Sequence, residues 1–294
     1  MVGWKLFSRL LLGRGAYDNP LYVHEARYSP FWYEVVRRVL LASGFRAVLL
    51  AAGAIGYVLA VLYVNNLLFF LVPLLLGLAL STGLTIGPLV AKERVNQRWE
   101  LLLTTPGGVE NVLLGKVGGA LWWLRRLLLV VTAAMLLAAG AVGVLSLIFI
   151  PAGPIRTGEL PVVVLCGVLV VLPLASGMLF LIDRLHQYLL MIAAAVAAGT
   201  PAGTVRGALS NASGAILLVW VLEIVAAGSL LALRTGGVVG SGNTLLTLIT
   251  LGPIASYILE LDLTHAILYA LITLAARELL ITLVWRWSVR RARR

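Results

Sequence analysis

Long runs of apolar residues, separated by short polar segments, dominate this chain of 294 residues. A helix needs about 20 apolar residues to cross the roughly 30 Å hydrocarbon core of a membrane. Five runs approach or exceed that length, at 47–64, 67–90, 127–150, 214–233 and 263–285. They are continuous blocks without the period of 2 or 3.6 that marks half-buried elements of a water-soluble fold. The pattern therefore predicts transmembrane helices.

A sixth apolar run, at 161–199, is longer than one membrane pass needs. It is interrupted by Asp183, Arg184 and His186, and by itself it could form one broken pass or two. Lysine and arginine cluster in the segments 5–46, 92–126 and 286–294, and such basic segments stay on the cytoplasmic side of a membrane.

Both termini on one side require an even number of passes. The 161–199 run then counts as one broken pass, which gives six passes. In this topology the loop 200–213 is cytoplasmic, whereas 151–159 and 234–262 face outside. The last of these is too apolar for a solvated loop, and Gly252 and Pro253 would break it, so we expect a re-entrant or interfacial hairpin before the last pass.

The composition excludes a water-soluble fold. Hydrophobic residues make up 61% of the chain and charged residues 12%, whereas a soluble domain has roughly 45–50% and about 25%. The mean hydropathy is +1.01. We therefore expect an all-α polytopic membrane protein, with a cytoplasmic N-terminal segment at 1–46, a transmembrane domain at 47–285 and a basic cytoplasmic tail at 286–294.

The two ends and the single cysteine add little chemistry. Residues 1–15 have an apolar core too short for a signal peptide, so we expect an amphipathic lead-in that stays on the mature protein. One cysteine, Cys166, lies in an apolar block and allows no internal disulfide.

The segment 91–116, AKERVNQRWELLLTTPGGVENVLLGK, follows the second apolar block on the predicted cytoplasmic side. Its apolar spacing predicts a short amphipathic helix over 93–105, with Val95, Trp99, Leu102 and Leu103 on one face. Pro106 and the following glycines would end this helix. A helix lying on lipid headgroups without a protein partner is the alternative.

The order ER, WELLLTTP and LLGK in this segment resembles the signature that follows the second transmembrane helix of ABC-2 type permeases. The resemblance implies a coupling helix that docks on a separate ATP-binding subunit. The implied docking residues are Glu93, Arg94, Trp99, Glu100, Leu102, Thr105 and Pro106, with Lys116 at the start of the third pass.

A second motif lies upstream, where Asn19-Pro20 and residues 24–27 are similar to the NP…RELR lead-in of the same family. The family commonly has a basic residue before the glutamate and a leucine after it, whereas this chain has His24 and Ala26. The resemblance implies an amphipathic connecting helix over 22–46 that carries Glu25 and Arg27. A plain interfacial anchor is the alternative interpretation.

Glu223 falls in the middle of the fifth predicted pass, where a charge is costly and usually faces a bundle interior or a water path. With Asp183 and Arg184 it is a candidate for the translocation path. The alternative is a glutamate that only joins helices. Arg277 is close enough to the cytoplasmic end of the last pass to reach the interface, and Gly83 and Gly87 have the spacing that permits close helix contact.

The chain alone is not expected to be an enzyme. Its GK pair lacks the glycine spacing of a phosphate-binding loop, and its three histidines are far apart, so no cofactor or metal is expected on this chain. The resemblance places ATP and Mg²⁺ on the partner.

The expected function is that of a permease subunit of an ABC-2 type exporter in the plasma or inner membrane. Its expected partners are an ABC ATP-binding subunit, a second permease copy that is identical or related, and membrane lipid, but no nucleic acid. Two alternatives stay open. One is a lipid-modifying membrane enzyme with Asp183, His186 and Glu223 as its polar centre, and the other is a membrane scaffold that binds an ATPase but transports nothing.

Overall fold

The computed structural model describes residues 5–11, 19–27, 77–104, 108–122, 124, 182–234 and 263–293. Every regular element within these ranges is a helix, and no strand occurs in them. The predicted all-helical class is confirmed for this part of the chain. The predicted passes at 47–64 and 127–150, the hairpin at 234–262 apart from Arg234, and most of the connecting helix lie outside the described residues.

The described helices are numbered in chain order. A π-helical turn at Phe7–Leu11 precedes them. They are α1 (Pro20–Arg27), α2 (77–86), α3 (Pro88–Val95), α4 (Trp99–Leu103), α5 (108–122), α6 (182–199), α7 (Val205–Arg234) and α8 (Leu263–Ala292).

One helix among the described residues, α7, is long and apolar enough to cross a membrane. The stretch Val205–Ala226 has 22 residues and a mean hydropathy of 1.8, yet only 17% of its most apolar window is buried. Its exposed side chains include Leu218, Val221, Leu222 and Val225. A core helix of a soluble protein would hide these side chains, so the exposure is consistent with a lipid environment.

Small residues allow α7 to approach α2 and the turn at Gly87, between α2 and α3, closely. A Cβ atom added at Gly87 would lie 2.5 Å from Cβ of Ala212 and 2.9 Å from the carbonyl oxygen of Ala208. One added at Gly83 would lie 2.9 Å from Cδ1 of Ile216. The close helix contact predicted for Gly83 and Gly87 is therefore confirmed.

Three helices differ in extent from the sequence-based expectation. Helix α6 runs continuously through Asp183, Arg184 and His186, so these polar residues do not interrupt it. Helix α7 begins at Val205, before the predicted start at 214, and α8 continues to Ala292, so most of the basic tail is helical. The remaining part of the predicted broken pass, 161–181, lies outside the described residues.

The structure divides the helix predicted over 93–105 into α3 and α4. Between them Gln97 has a φ of 56°, in the left-handed region that side-chain-bearing residues seldom adopt. The backbone N–H of Arg98 then donates to the carbonyl oxygen of Glu93 over 2.9 Å. Because of this turn Val95 is 58% exposed whereas Trp99 is buried, so the two do not share one apolar face as predicted.

Candidate functional site

Lys116 on α5 is the centre of a nearly buried ionic site that joins three helices. Its side chain is 3% exposed, and its ammonium nitrogen lies 2.7 Å from Oε1 of Glu25 on α1 and 2.8 Å from Oε1 of Glu93 on α3. A lysine is rarely buried unless it is paired, and here two carboxylates compensate for its lost hydration. The structure thus brings together Glu25 from the motif at 19–27 and Glu93 and Lys116 from the two ends of the motif at 93–116.

A glycine face on α5 lets α1 come close enough for this pairing. A Cβ atom added at Gly119 would lie 2.6 Å from Cβ of Glu25 and 2.7 Å from the carbonyl oxygen of Tyr22. One added at Gly118 would lie 3.2 Å from Cδ2 of Tyr22. Gly118 and Gly119 follow Gly115 by three and four residues, so all three glycines fall on the same side of α5.

The NP motif fixes the start of α1. The side-chain oxygen of Asn19 accepts a hydrogen bond from the backbone N–H of Leu21 over 3.0 Å, and its Nδ2 donates to the carbonyl oxygen of Asn111 on α5 over 3.1 Å. Farther along the contact between α1 and α5, the ring of Tyr22 packs against the ring of Trp122 edge to face, with centroids 6.3 Å apart. Asn19 therefore sets both the start of α1 and its position along α5.

Helix α4 is attached to the C-terminal end of α8 through Trp99. This side chain is 4% exposed, and its indole N–H donates to the carbonyl oxygen of Ala292 over 2.9 Å. Leu102 and Leu103 are half-buried against the same core. The side chains of Glu100 and Leu101 point away from the core and are exposed, Leu101 by 70%.

The residues predicted to dock on a partner consequently differ in burial, and only some of their side chains face outward. Glu93 is paired with Lys116, and Trp99 lies inside the chain itself. Arg94 and Leu102 are half-buried, Glu100 is exposed, and Thr105 and Pro106 lie outside the described residues. The exposed Leu101, which the sequence analysis did not single out, adds an apolar side chain to the outward surface of α4.

A second polar cluster joins α6, α7 and α8, and Arg277 is its centre. Nε of Arg277 lies 2.9 Å from Oε1 of Glu223, and its Nη1 donates to the carboxylate of Asp183 and, over 3.0 Å, to the backbone carbonyl of the same residue. Asp183 is fully buried and Arg277 nearly so. One arginine thus pairs with carboxylates from two other helices.

Gln187 and Arg184 complete this cluster. Arg184 donates from Nη1 to Oε1 of Gln187 over 2.7 Å, and its Nη2 lies 3.6 Å from Oδ2 of Asp183. The amide of Gln187 in turn donates to Oε2 of Glu223. Two arginines and two carboxylates give the cluster no net formal charge, which is the arrangement expected for ionisable groups held away from water.

The candidates Asp183, Arg184 and Glu223, singled out from the sequence one by one, therefore meet in one network. From the sequence Arg277 is expected to reach the interface, and nothing in the sequence indicates that it joins them. A second contact between α6 and α8 lies nearby in the sequence, where Nε2 of His186 is 4.0 Å from Oε2 of Glu278. Among the described residues no group of three His, Cys, Asp or Glu side chains is arranged to hold a metal ion.

No protein-family profile, curated protein or solved structure matches this chain. The resemblance to ABC-2 type permeases rests on the motifs at 19–27 and 93–116 and stays a prediction.

Proposed function

We propose that this chain is the permease subunit of an ABC-2 type exporter, which moves a substrate across the cytoplasmic membrane using ATP hydrolysis by a separate subunit. In this proposal the chain crosses the membrane six times, has both termini in the cytoplasm and pairs with a second permease. The observation that carries the proposal is the site at which Lys116 pairs with both Glu25 and Glu93. Each of these residues belongs to one of the family-like motifs.

The connections of α4 support a coupling role. Its Trp99 donates a hydrogen bond to the end of α8. The preceding α3 is joined to α5 by the ion pair between Glu93 and Lys116. Lys116 also pairs with Glu25 of α1. Buried cores transmit displacement because they are densely packed. A push on the exposed side of α4 would therefore reach α1, α5 and α8 together.

The outward surface of α4 suits a protein partner. It presents the carboxylate of Glu100 beside the exposed Leu101, a small apolar and charged patch next to side chains that are fixed from behind. Such a patch on a rigid support favours docking, since little conformational freedom is lost on binding.

The cluster of Asp183, Arg184, Glu223 and Arg277 supports the part of the proposal that concerns the membrane. Ionisable residues at membrane depth are expected to face a bundle interior and to pair with one another. The exposed apolar side chains of α7 and α8 would then contact lipid, whereas the paired charges lie between the helices. In this proposal the cluster lies beside the translocation path.

Co-purification of the chain with a candidate ATP-binding subunit tests the proposal. We expect the wild type to retain the ATPase and Glu100→Arg to release it, because the substitution reverses the charge of the docking surface. Arg206→Glu is the matched control, since Arg206 is also exposed and predicted to be cytoplasmic but lies on α7. The control should retain the ATPase.

Failure of any ATPase to associate, or equal retention by wild type and Glu100→Arg, would contradict the proposal. Lipid turnover by the purified chain alone would instead support the enzyme alternative. Association with an ATPase but no ATP-dependent transport in proteoliposomes would support the scaffold alternative.

A further inference from the structure

A cavity of about 390 Å³ lies where the N-terminal segment and α5 meet the end of α8. Four cationic side chains line it, those of Lys5, Arg286, Arg290 and Arg293. The carboxylate of Glu110 lines it as well. Lys5 pairs with Glu110 over 2.7 Å. Four positive charges and one negative charge leave a net formal charge of +3 around the cavity. Because a concave site concentrates the field of its lining charges, this excess favours an anionic ligand.

Arg286 and Arg290 share one side of α8 because they are four residues apart, and Arg293 follows directly after the end of this helix. Within the described part of the chain none of the three forms an ion pair. Arg291 does not line the cavity, and its guanidinium carbon lies 5.3 Å from the ring centroid of Trp287. The cavity is therefore a defined group of arginines and not the basic tail as a whole.

The cavity also has an apolar wall. Trp285 and Val289 line it beside the arginines, and Trp285 is 2% exposed, so its ring is held firmly in the core. A small inorganic anion gains little from such a wall. A ligand with a phosphate next to an apolar part would use both halves of the site, and the volume falls within the range of small-molecule pockets.

The position along α8 indicates where such a ligand would come from. The helix first exposes Leu271, Leu279 and Leu283, then Arg286 beside the ring of Trp287, and then its remaining arginines. An apolar stretch followed by tryptophan and then by basic residues is typical of a helix that leaves a membrane through its headgroup layer. Basic pockets between helices at this level bind anionic headgroups.

We propose that this cavity binds the phosphate headgroup of an anionic phospholipid. Arg286, Arg290 and Arg293 hold the phosphate, and the half-buried Val289, supported from behind by the buried Trp285, contacts the glycerol and the first acyl carbons. The proposal concerns a lipid site at the membrane surface and requires neither an ATPase nor a transported substrate. It can therefore stand if the transporter proposal fails.

The test uses the purified full-length chain in detergent, titrated with phosphatidylglycerol or phosphatidylcholine of identical acyl chains and observed by native mass spectrometry. We expect one phosphatidylglycerol to bind at least about fivefold more tightly than phosphatidylcholine. Arg290→Gln should weaken phosphatidylglycerol binding by about fivefold, the effect of one basic residue near an anionic headgroup. Arg290→Lys should keep most of the affinity, and Arg291→Gln should change it by less than about twofold because Arg291 is not in the cavity.

Equal weakening by Arg290→Gln and Arg291→Gln would overturn the proposal, since it would mean that diffuse charge attracts the lipid. A wild type without preference for phosphatidylglycerol would overturn it as well. Displacement of the lipid by inorganic phosphate at comparable concentration would assign the cavity to a free anion and not to a lipid. Size-exclusion profiles identical to the wild type establish that each variant is folded.

Discussion

Glu25 and Lys116 stand 91 residues apart in the sequence, yet their carboxylate and ammonium groups are joined by a hydrogen bond of 2.7 Å. The same ammonium group binds Glu93. The connection depends on close backbone approach at Gly119, where any larger residue would meet Glu25. This one lysine thus joins α1 to α3, the helix that precedes α4.

Replacing Lys116 by Gln should destabilise the protein by about 3 kcal/mol, because two largely buried carboxylates lose their counter-ion and face each other. Lys116→Gln combined with Glu93→Gln should recover part of this loss, since one of the two negative charges is gone. Denaturant unfolding of the detergent-purified variants measures both values. Simple addition of the two single effects would contradict the predicted coupling.

Gly119→Ala should displace α1 and destabilise the protein by about 1–3 kcal/mol, because the new Cβ would meet Cβ of Glu25 at 2.6 Å and the Tyr22 backbone at 2.7 Å. Gly214→Ala on α7 is the matched control. No atom lies within 4 Å of a Cβ built at Gly214, and alanine favours a helix, so this variant should be unchanged or slightly stabilised. Thermal unfolding of both variants tests the difference, and equal effects would rule out the tight contact.

Arg277→Met should destabilise the protein by about 3–5 kcal/mol because it leaves the carboxylates of Asp183 and Glu223 without their shared partner. Adding Glu223→Gln should restore much of the stability, since Asp183 and Arg184 then balance each other. The comparison is made on purified protein by denaturant unfolding. A double variant less stable than Arg277→Met alone would show that the four charges do not act as one network.

Trp99→Phe keeps an apolar ring in the core but removes the hydrogen bond to the carbonyl of Ala292, which should cost about 1 kcal/mol. On the proposed function it should also reduce the stimulation of ATP hydrolysis by the permease while the ATPase stays bound, because α4 loses its hydrogen bond to the end of α8. ATPase assays on the reconstituted complex measure the stimulation. Trp287→Phe is the control, because Trp287 is exposed. Loss of ATPase binding by Trp99→Phe would contradict the interpretation that Trp99 faces inward.

The helical class and several site residues could be predicted from the sequence because their signals are local. Continuous apolar blocks indicate helices, and the described residues are helical without strands. The motifs at 19–27 and 93–116 identify Glu25, Glu93 and Lys116 as candidates. The glycines beside Lys116 could have been recognised as a packing face from their spacing of three and four residues.

Other features depend on tertiary structure and could not be predicted. Arg277 pairs with Asp183 across 94 residues, and only the packing of α6 against α8 makes them neighbours. The left-handed backbone at Gln97 carries no sequence signal, because glutamine is not a residue that favours it. That turn separates α3 from α4, buries Trp99 and makes Leu101 the outward apolar residue.

Photo-crosslinking from position 101 in living cells tests the central claim most directly. A photoreactive amino acid replaces Leu101, whose side chain is 70% exposed, and a second version carries it at Leu218, which is exposed on the apolar side of α7. We predict that position 101 crosslinks to an ABC ATP-binding subunit, identified by mass spectrometry, whereas position 218 crosslinks to lipid. An ATP-binding subunit absent from the products of position 101, or found equally at both positions, would contradict it.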